Sequence, residues 1–146
     1  MMKINILEDQ NINETEIIIK CKEKSDDIDK IIKLLEVDNH LLICKKDKDI
    51  FQVSIEDIMF IESVDEKTFV YLQDIVYENQ SKIYELEEKL NNNNFIRISK
   101  SCLLNLDFLR SVRAIINGKY EATLLNGEKL VINRSYMNNF RKVFGI

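Results

Sequence analysis

The sequence NNNNFIRISKSCLLN, residues 91–105, places a small polar and basic group between two apolar segments. Its four asparagines end the element before them, and FIRI then alternates apolar and polar side chains as a strand does. Ser99, Lys100 and Ser101 follow where the chain is expected to turn, and CLL returns to apolar sequence. The stretch therefore predicts a rigidly held polar loop inside a β-rich domain.

The length of 146 residues is sufficient for one domain with a core of ordinary size. Apolar residues make up 45% of the chain and charged residues 32%, which is typical of a soluble globular protein. No apolar run approaches the roughly 20 residues of a membrane span, and the N-terminus lacks the apolar segment of a secretory signal. Cys21, Cys44 and Cys102 are widely spaced and form no CxxC pair, which favours a reduced, cytoplasmic protein without a structural zinc.

The charged residues are distributed unevenly along the chain. Residues 1–96 contain 12 Lys and Arg against 22 Asp and Glu, whereas residues 97–146 contain 9 basic and 3 acidic residues. A basic segment in an otherwise acidic protein indicates an anionic partner for that segment. The alternative is that both parts are simply solvated, and charge alone does not decide between them.

Most of the chain after residue 40 has the patterning of short strands. Asn117-Gly118 and Asn126-Gly127 stand between apolar runs and predict two successive hairpins with type I′ turns, hence a three-stranded meander. The sequence therefore predicts a mainly β fold with a few helices, of the α+β class, built from short antiparallel sheets. Besides FIRI, the predicted strands cover residues 40–44, 49–53, 58–63, 68–72, 75–78, 108–116, 119–125 and 128–132.

Residues 1–40 are predicted to form a separate strand-helix extension before a domain of residues 41–146. Residues 3–7 and 16–21 resemble short strands. Ser25 can cap a helix ending near residue 36, in which four apolar side chains fall at i, i+3, i+4 and i+7. This apolar stripe needs a partner surface, so the extension is interpreted as an interaction or dimerisation element. The stripe consists of Ile28, Ile31, Ile32 and Leu35. Two further helices are predicted over residues 82–90, capped by Ser81, and over residues 135–144.

No motif in the sequence supports catalysis. His40, the single histidine, has no identifiable Ser or Cys partner, and three glycines cannot build a phosphate-binding GxGxxG loop. The protein is therefore predicted not to be an enzyme and to need no cofactor or metal.

Three polar and basic loops remain, each flanked by apolar residues. Loop 1 (residues 65–68) includes Lys67 and Thr68, loop 2 is Ser99, Lys100 and Ser101, and loop 3 (residues 133–135) follows the meander. Such loops combine a cation with short hydrogen-bonding side chains, the residue types that contact base edges and phosphates. One such loop is more often an ordinary turn, but three in one β-rich unit favour DNA binding. Loop 3 consists of Asn133, Arg134 and Ser135, and the last helix adds Arg141 and Lys142 as candidate phosphate contacts.

These segments together resemble a LytTR-type DNA-binding domain over residues 43–144. The resemblance rests on IMFIESVDEKTFVYL, SKIYELEEKL and FIRISKSCLLNLDFL, followed by GKYEATLLNGEKLVINRSYMNNF. It implies a bacterial transcription regulator that inserts loops, and no recognition helix, into successive major grooves of direct-repeat sites in double-stranded DNA. The base-reading positions of the family match Lys67-Thr68, loop 2 and Arg134, whereas Ser101 and Asn105 match framework positions that fix the shape of loop 2. The sequence lacks the histidines that the family often has near Thr68 and Ser99.

The extension resembles that of small stand-alone LytTR regulators, which implies a small membrane-protein regulator as a further partner. The apolar stripe separately suggests a homodimer. An alternative function is a protein-interaction module whose basic part docks an acidic partner or that membrane protein. RNA binding is a weaker alternative, because no strand contains an aromatic run such as K-G-F-x-F.

Overall fold

The structure is a computed structural model that describes residues 2–35, 40–91 and 93–146. Within these residues it is mainly antiparallel β with three α-helices, which confirms the predicted fold class. The helices are α1 (Asp26–Leu35), α2 (Ile83–Lys89) and α3 (Met137–Phe144). The strands are β1 (Leu41–Lys46), β2 (Asp49–Ser54), β3 (Phe60–Val64), β4 (Lys67–Tyr71), β5 (Val76–Asn79), β6 (Phe95–Ser99), β7 (Cys102–Asn105), β8 (Leu109–Ala114), β9 (Tyr120–Leu124) and β10 (Lys129–Ile132).

The strands form two sheets. Seven strands pair in the order β2-β1-β5-β4-β3-β7-β6, and the remaining three pair as the predicted meander β10-β9-β8. Every pairing is antiparallel, because hairpin connections join most successive strands.

The central strands of the larger sheet are buried on both faces. On one face they pack under α2, through residues such as Ile61, Leu86 and Leu103. On the other face Phe60 and Leu104 pack against the smaller sheet and α3. Strand β7 therefore has four consecutive buried residues instead of the alternation of a half-exposed strand.

The two Asn-Gly turns differ in conformation. Asn117 and Gly118 both have positive φ, at 63° and 72°, so the predicted type I′ geometry is confirmed there. At the second turn Gly127 has a φ of 89°, and its N–H donates to the carbonyl of Leu124 at 2.9 Å. The positive-φ residues do not include Asn126. The type I′ prediction was therefore wrong at this turn, which has a three-residue loop with glycine in the left-handed position.

The N-terminal extension differs from the prediction in its strands. Residues 2–25 contain no strand, because these segments have no neighbouring strand with which to pair their backbone groups. Helix α1 confirms the predicted helix, and the carbonyl of Ser25 accepts hydrogen bonds from the N–H groups of Ile28 and Asp29, both at 3.1 Å. The predicted helix end and the domain boundary near residues 36–40 lie largely outside the described residues, and the boundary stays a prediction.

Helix α2 begins one residue later than predicted. Its N-cap is Lys82, whose N–H donates to the Glu85 carboxylate at 3.4 Å. The prediction that Ser81 caps this helix was wrong, because Ser81 instead donates its own N–H to the side-chain oxygen of Asn79 at 2.8 Å. Among the residues that the structure describes, no helix is long and apolar enough to cross a membrane.

Candidate nucleic-acid interface

Loops 1 and 2 lie side by side at one end of the larger sheet. Strand β3 pairs with both β4 and β7, so the turn leaving β3 and the turn entering β7 are neighbours. The N–H of Ser63, near the end of β3, donates to the carbonyl of Ser101 at 2.8 Å, which ties loop 2 to the strand that leads into loop 1. Residues about 35 positions apart in sequence are thus held at a fixed separation by the sheet.

Loop 3 lies next to loop 2 on its other side. The N–H of Asn133 donates to the carbonyl of Ile98 at 2.9 Å, on the edge of β6 that faces away from β7. Ile98 immediately precedes Ser99, so this bond places loop 3 beside loop 2. The structure therefore brings the three loops together in the order 1, 2, 3 across one end of the fold.

Loop 2 is fixed by hydrogen bonds within the hairpin. The N–H of Ser101 donates to the hydroxyl of Ser99 at 3.2 Å, so the side chain of Ser99 helps to fix the shape of loop 2, a role that was predicted for Ser101. Lys100 is exposed at the tip of the hairpin. The guanidinium of Arg97 donates to the backbone carbonyls of Ser99, at 3.1 Å, and of Lys100. The alternation with Ile96 and Ile98 shows which face Arg97 occupies, but no sequence signal shows that its side chain returns to the turn.

Loop 1 offers fewer contacts than predicted. Lys67 is exposed, but Thr68 has only 4% of its surface accessible and pairs with Ser63 inside the sheet. The period of two along β4 puts Thr68 on the same face as the buried Val70, a signal that the sequence already contained. The tip of the loop consists of two acidic residues with positive φ, Asp65 and Glu66. Loop 1 therefore contributes one cation beside two exposed carboxylates.

Loop 3 exposes Arg134 and Ser135, while Asn133 is half-buried. The methylene groups of Arg134 lie against Gly118 of the β8–β9 turn: a Cβ built on that glycine would be 2.8 Å from the Cδ of Arg134. Glycine is required there twice, for its φ of 72° and for the space that the arginine occupies. The Asn-Gly motif identified the turn, but its contact with Arg134 is visible only in the folded chain.

The two predicted phosphate contacts on α3 differ in their surroundings. The guanidinium carbon of Arg141 lies 5.6 Å from the ring centroid of Tyr120, a cation–π contact. Lys142 is exposed and two residues beyond the buried Phe140, which places it about 200° around the helix and away from the core. Lys142 thus retains the freedom of a surface cation, whereas Arg141 is partly held by its aromatic neighbour.

Asn105, predicted to fix the shape of loop 2, is a framework residue at the opposite end of β7. Its side-chain amide donates to the carbonyl of Ile58 at 2.8 Å, and its side-chain oxygen accepts from the N–H of Asp107 at 3.0 Å. The residue is buried and satisfies backbone groups where the chain leaves the larger sheet for the smaller one. It therefore stabilises the connection between the sheets, whereas the side-chain hydrogen bonds within loop 2 come from Arg97 and Ser99.

Cys102 adjoins loop 2 and is buried. Burial, and secondarily the charge of Glu62, raises the pKa of this thiol to about 12. The thiol is therefore protonated at neutral pH and a poor nucleophile, so its contribution is packing. No cluster of His, Cys, Asp or Glu within the described residues has the arrangement of a metal site.

The protein is a mainly antiparallel β domain with three adjoining polar loops at one end of its larger sheet. Residues 48–145 match the LytTr DNA-binding domain, and this match covers well over half of the chain. The chain belongs to the LytTR family of DNA-binding domains. The solved LytTr DNA-binding domain of a Bacillus cereus protein has the same fold, with a TM-score of 0.70 and 23% identity over 73% of this chain and 98% of that domain.

Two kinds of curated relatives are similar in sequence. The sensory transduction protein LytT of Bacillus cereus is 27% identical over 110 residues, which are 75% of this chain and 45% of that protein. The sensory transduction protein LytR of Staphylococcus haemolyticus is 25% identical over 85% of this chain and 45% of its own length. The chain thus spans about half the length of these relatives. An HTH-type transcriptional regulator of Staphylococcus aureus is 25% identical over 148 residues, with all of both chains covered.

Proposed function

We propose that the protein is a transcriptional regulator that recognises specific double-stranded DNA by inserting loops 1, 2 and 3 into the major groove of direct-repeat sites. The observation that carries the proposal is the pair of backbone hydrogen bonds, Ser63 to Ser101 and Asn133 to Ile98, that aligns the three loops. Loops held in one row can follow a groove without a recognition helix. The protein would act in the cytoplasm. The Staphylococcus aureus relative that is named as a transcriptional regulator, and that aligns over all of both chains, supports this function.

The proposed contacts follow from exposure and charge. Arg134 and Lys100 are exposed cations on neighbouring loops and are assigned to base edges, where arginine and lysine pair with guanine. Lys67 is assigned to the outer end of the row, where Asp65 and Glu66 limit how closely loop 1 can approach phosphates. Thr68 is assigned to support of the sheet because it is buried. The short polar side chains Ser99, Ser101, Asn133 and Ser135 are assigned to positioning and phosphate contacts.

The function is tested by selecting bound fragments from a genomic library and titrating the affinity against salt. We expect one recurrent motif in two copies with fixed spacing, and tighter binding to it than to a scrambled duplex of equal length. Failure to enrich any motif, with equal affinity for both duplexes, would contradict sequence-specific binding. Binding of an acidic protein partner with no binding to DNA would instead favour the interaction-module alternative.

The Lys142→Ala variant should weaken binding to the selected and scrambled duplexes by the same factor. Its exposed ammonium group is proposed to neutralise one phosphate, so its loss should reduce the slope of log K against log salt by about 0.9. The measurement is a salt titration by fluorescence anisotropy. The matched control is Lys46→Ala, an exposed lysine at the end of β1 in the larger sheet, whose slope should not change.

The Gly118→Ala variant should lose affinity for the selected duplex because its new Cβ would displace Arg134. It should also lower the free energy of unfolding by about 1–2 kcal/mol, the cost of a left-handed conformation for a residue with a Cβ. Gly127→Ala is the control: its φ is 89°, but nothing lies within 4 Å of its added Cβ. The control should lose similar stability and keep its affinity, measured by urea denaturation and anisotropy. Equal affinity losses in both variants would remove Gly118 from the site.

The N-terminal extension is proposed to pair two copies of the chain. Its aliphatic side chains are largely exposed, among them Ile6, Leu7, Ile18 and Leu34. Exposed apolar surface of this extent is typical of an interaction site, and two paired copies would suit direct-repeat DNA.

Ile31→Asp on α1 should therefore weaken a concentration-dependent dimer in sedimentation equilibrium. The carboxylate created by this change would lose its hydration when the two copies associate. Burying such a charge without a partner costs several kcal/mol. Lys30→Asp, on the neighbouring polar position, changes the charge more but should affect the dimer less. A wild-type chain that stays monomeric at all concentrations would exclude this pairing.

A further inference from the structure

The side chain of Arg97 reaches the backbone of loop 2. From β6 its Nε donates to the carbonyl of Ser99 at 3.1 Å and its Nη2 donates to the carbonyl of Lys100. Both acceptors belong to the backbone of loop 2. The N–H groups of a planar guanidinium point in fixed directions from different nitrogens, so they can donate to two carbonyls at once. The N–H groups of an ammonium group all lie on one nitrogen.

Two contacts connect Arg97 to other elements. Its Nη1 lies 3.6 Å from the carboxylate of Glu87 on α2, and its guanidinium carbon lies 6.0 Å from the ring centroid of Tyr136. Tyr136 ends the turn that begins at Arg134. One side chain therefore contacts α2, loop 2 and the residues that follow loop 3.

The geometry favours a positioning role over a direct phosphate contact. Only 20% of the Arg97 side chain is exposed. Two of its N–H groups donate to carbonyls of the chain, and its Nη1 is paired with the Glu87 carboxylate. Lys100, by contrast, is exposed at the tip. The guanidinium also covers two carbonyl oxygens whose negative ends would otherwise repel phosphates near the loop.

We propose that Arg97 fixes loop 2 against loop 3, so that Lys100 and Arg134 meet the DNA with one set separation. This inference rests on the proposed function for its consequence in DNA recognition. The contacts of Arg97 with loop 2, Glu87 and Tyr136 exist in the free protein, so their effect on loop 2 can be measured without DNA.

The first experiment measures amide hydrogen exchange in the free protein. Arg97→Lys keeps the positive charge but loses the several fixed N–H donors of the guanidinium. The backbone N–H groups of Ser101 and Ser63 report on loop 2 and should exchange about tenfold faster in this variant. Amides of the core, such as that of Ile61, should exchange as in the wild type. The matched control is Arg113→Lys, whose partner is a single carboxylate, Glu121, that lysine can also contact.

The second experiment measures affinity for the selected and scrambled duplexes. Arg97→Lys should lose about tenfold in affinity for the selected duplex, the scale of one misplaced base contact, and less than about twofold for the scrambled one. Glu87→Gln, which loosens Arg97 from α2, should act in the same direction with a smaller effect, and it replaces Arg97→Lys if that variant does not fold.

Two results would overturn the inference. If Arg97→Lys leaves both the exchange of the Ser101 amide and the affinity for the selected duplex unchanged, the contacts of Arg97 do not fix loop 2. Equal losses on both duplexes with unchanged exchange would make Arg97 a direct phosphate contact. If the wild type selects no DNA motif, the proposed function fails, and with it the role of Arg97 in recognition, whereas the exchange result still decides whether Arg97 fixes loop 2.

Discussion

Arg134→Ala should lower the affinity for the selected duplex by about 1–3 kcal/mol, the usual value of a bidentate contact between arginine and guanine. The affinity for a scrambled duplex should fall far less, because only the loss of one charge matters there. Arg134 is exposed beside loop 2, and its methylene groups lie against Gly118. Such a supported guanidinium loses little conformational entropy on binding, which favours a specific contact.

The matched control for Arg134→Ala is Arg110→Ala. Arg110 is an exposed arginine near the start of β8, whereas Gly118 lies beyond the end of that strand. Its removal subtracts the same charge from the smaller sheet and should leave the ratio of the two affinities unchanged. If Arg134→Ala lowers both affinities equally, Arg134 contacts the DNA backbone and reads no base.

Phe140→Ala should destabilise the fold by about 3–5 kcal/mol, as expected for a fully buried aromatic side chain. Phe140 is completely buried between α3 and the two sheets, and its ring stacks on Phe144 with centroids 5.2 Å apart. Because total stabilities are about 5–15 kcal/mol, this loss is a large share. Urea denaturation monitored by circular dichroism gives the value.

Phe144→Ala is the control for Phe140→Ala. Phe144 lies on the same helix and in the same aromatic pair but is 41% exposed, so its removal should cost about 1 kcal/mol. Similar losses in the two variants would show that α3 is not anchored through Phe140. A loss confined to Phe140→Ala would show that the same helix that follows loop 3 also closes the core.

Local sequence signals predicted most of the strands and the two hairpins of the meander. Alternation along residues 67–71 and 120–124 reflects one buried face and one more exposed face, which is a property of each strand alone. The same kind of signal failed for residues 3–7 and 16–21, which are rich in aliphatic side chains and yet form no strand pairing among the residues that the structure describes. A strand forms only if another strand satisfies its backbone N–H and C=O groups, and the sequence of one segment does not show whether such a partner strand is available.

The candidate site shows the same division. The sequence identified loops 1, 2 and 3 from residue types that suit DNA, but it gave Thr68 and Asn105 the wrong surroundings. Thr68 faces the core because β4 lies between β3 and β5, and Asn105 joins the two sheets. Arg97 donates to carbonyls two and three residues further along the chain, and Gly118 lies against Arg134, 16 residues further along. Neither contact produces a periodic pattern in the sequence.

The sequence by itself determined the β-rich class, the helix over residues 26–35, the positions of the two Asn-Gly turns and the basic character of residues 97–146. These features depend on side-chain periodicity, on backbone preferences and on charge, all of which are local. Only the tertiary structure decided that three loops form one row, that Arg97 donates to the backbone of loop 2, and that Arg134 of loop 3 lies against Gly118. The physical reason is that the row depends on the hydrogen bonds of Ser63 and Asn133 between distant segments, which exist only after the sheets have assembled.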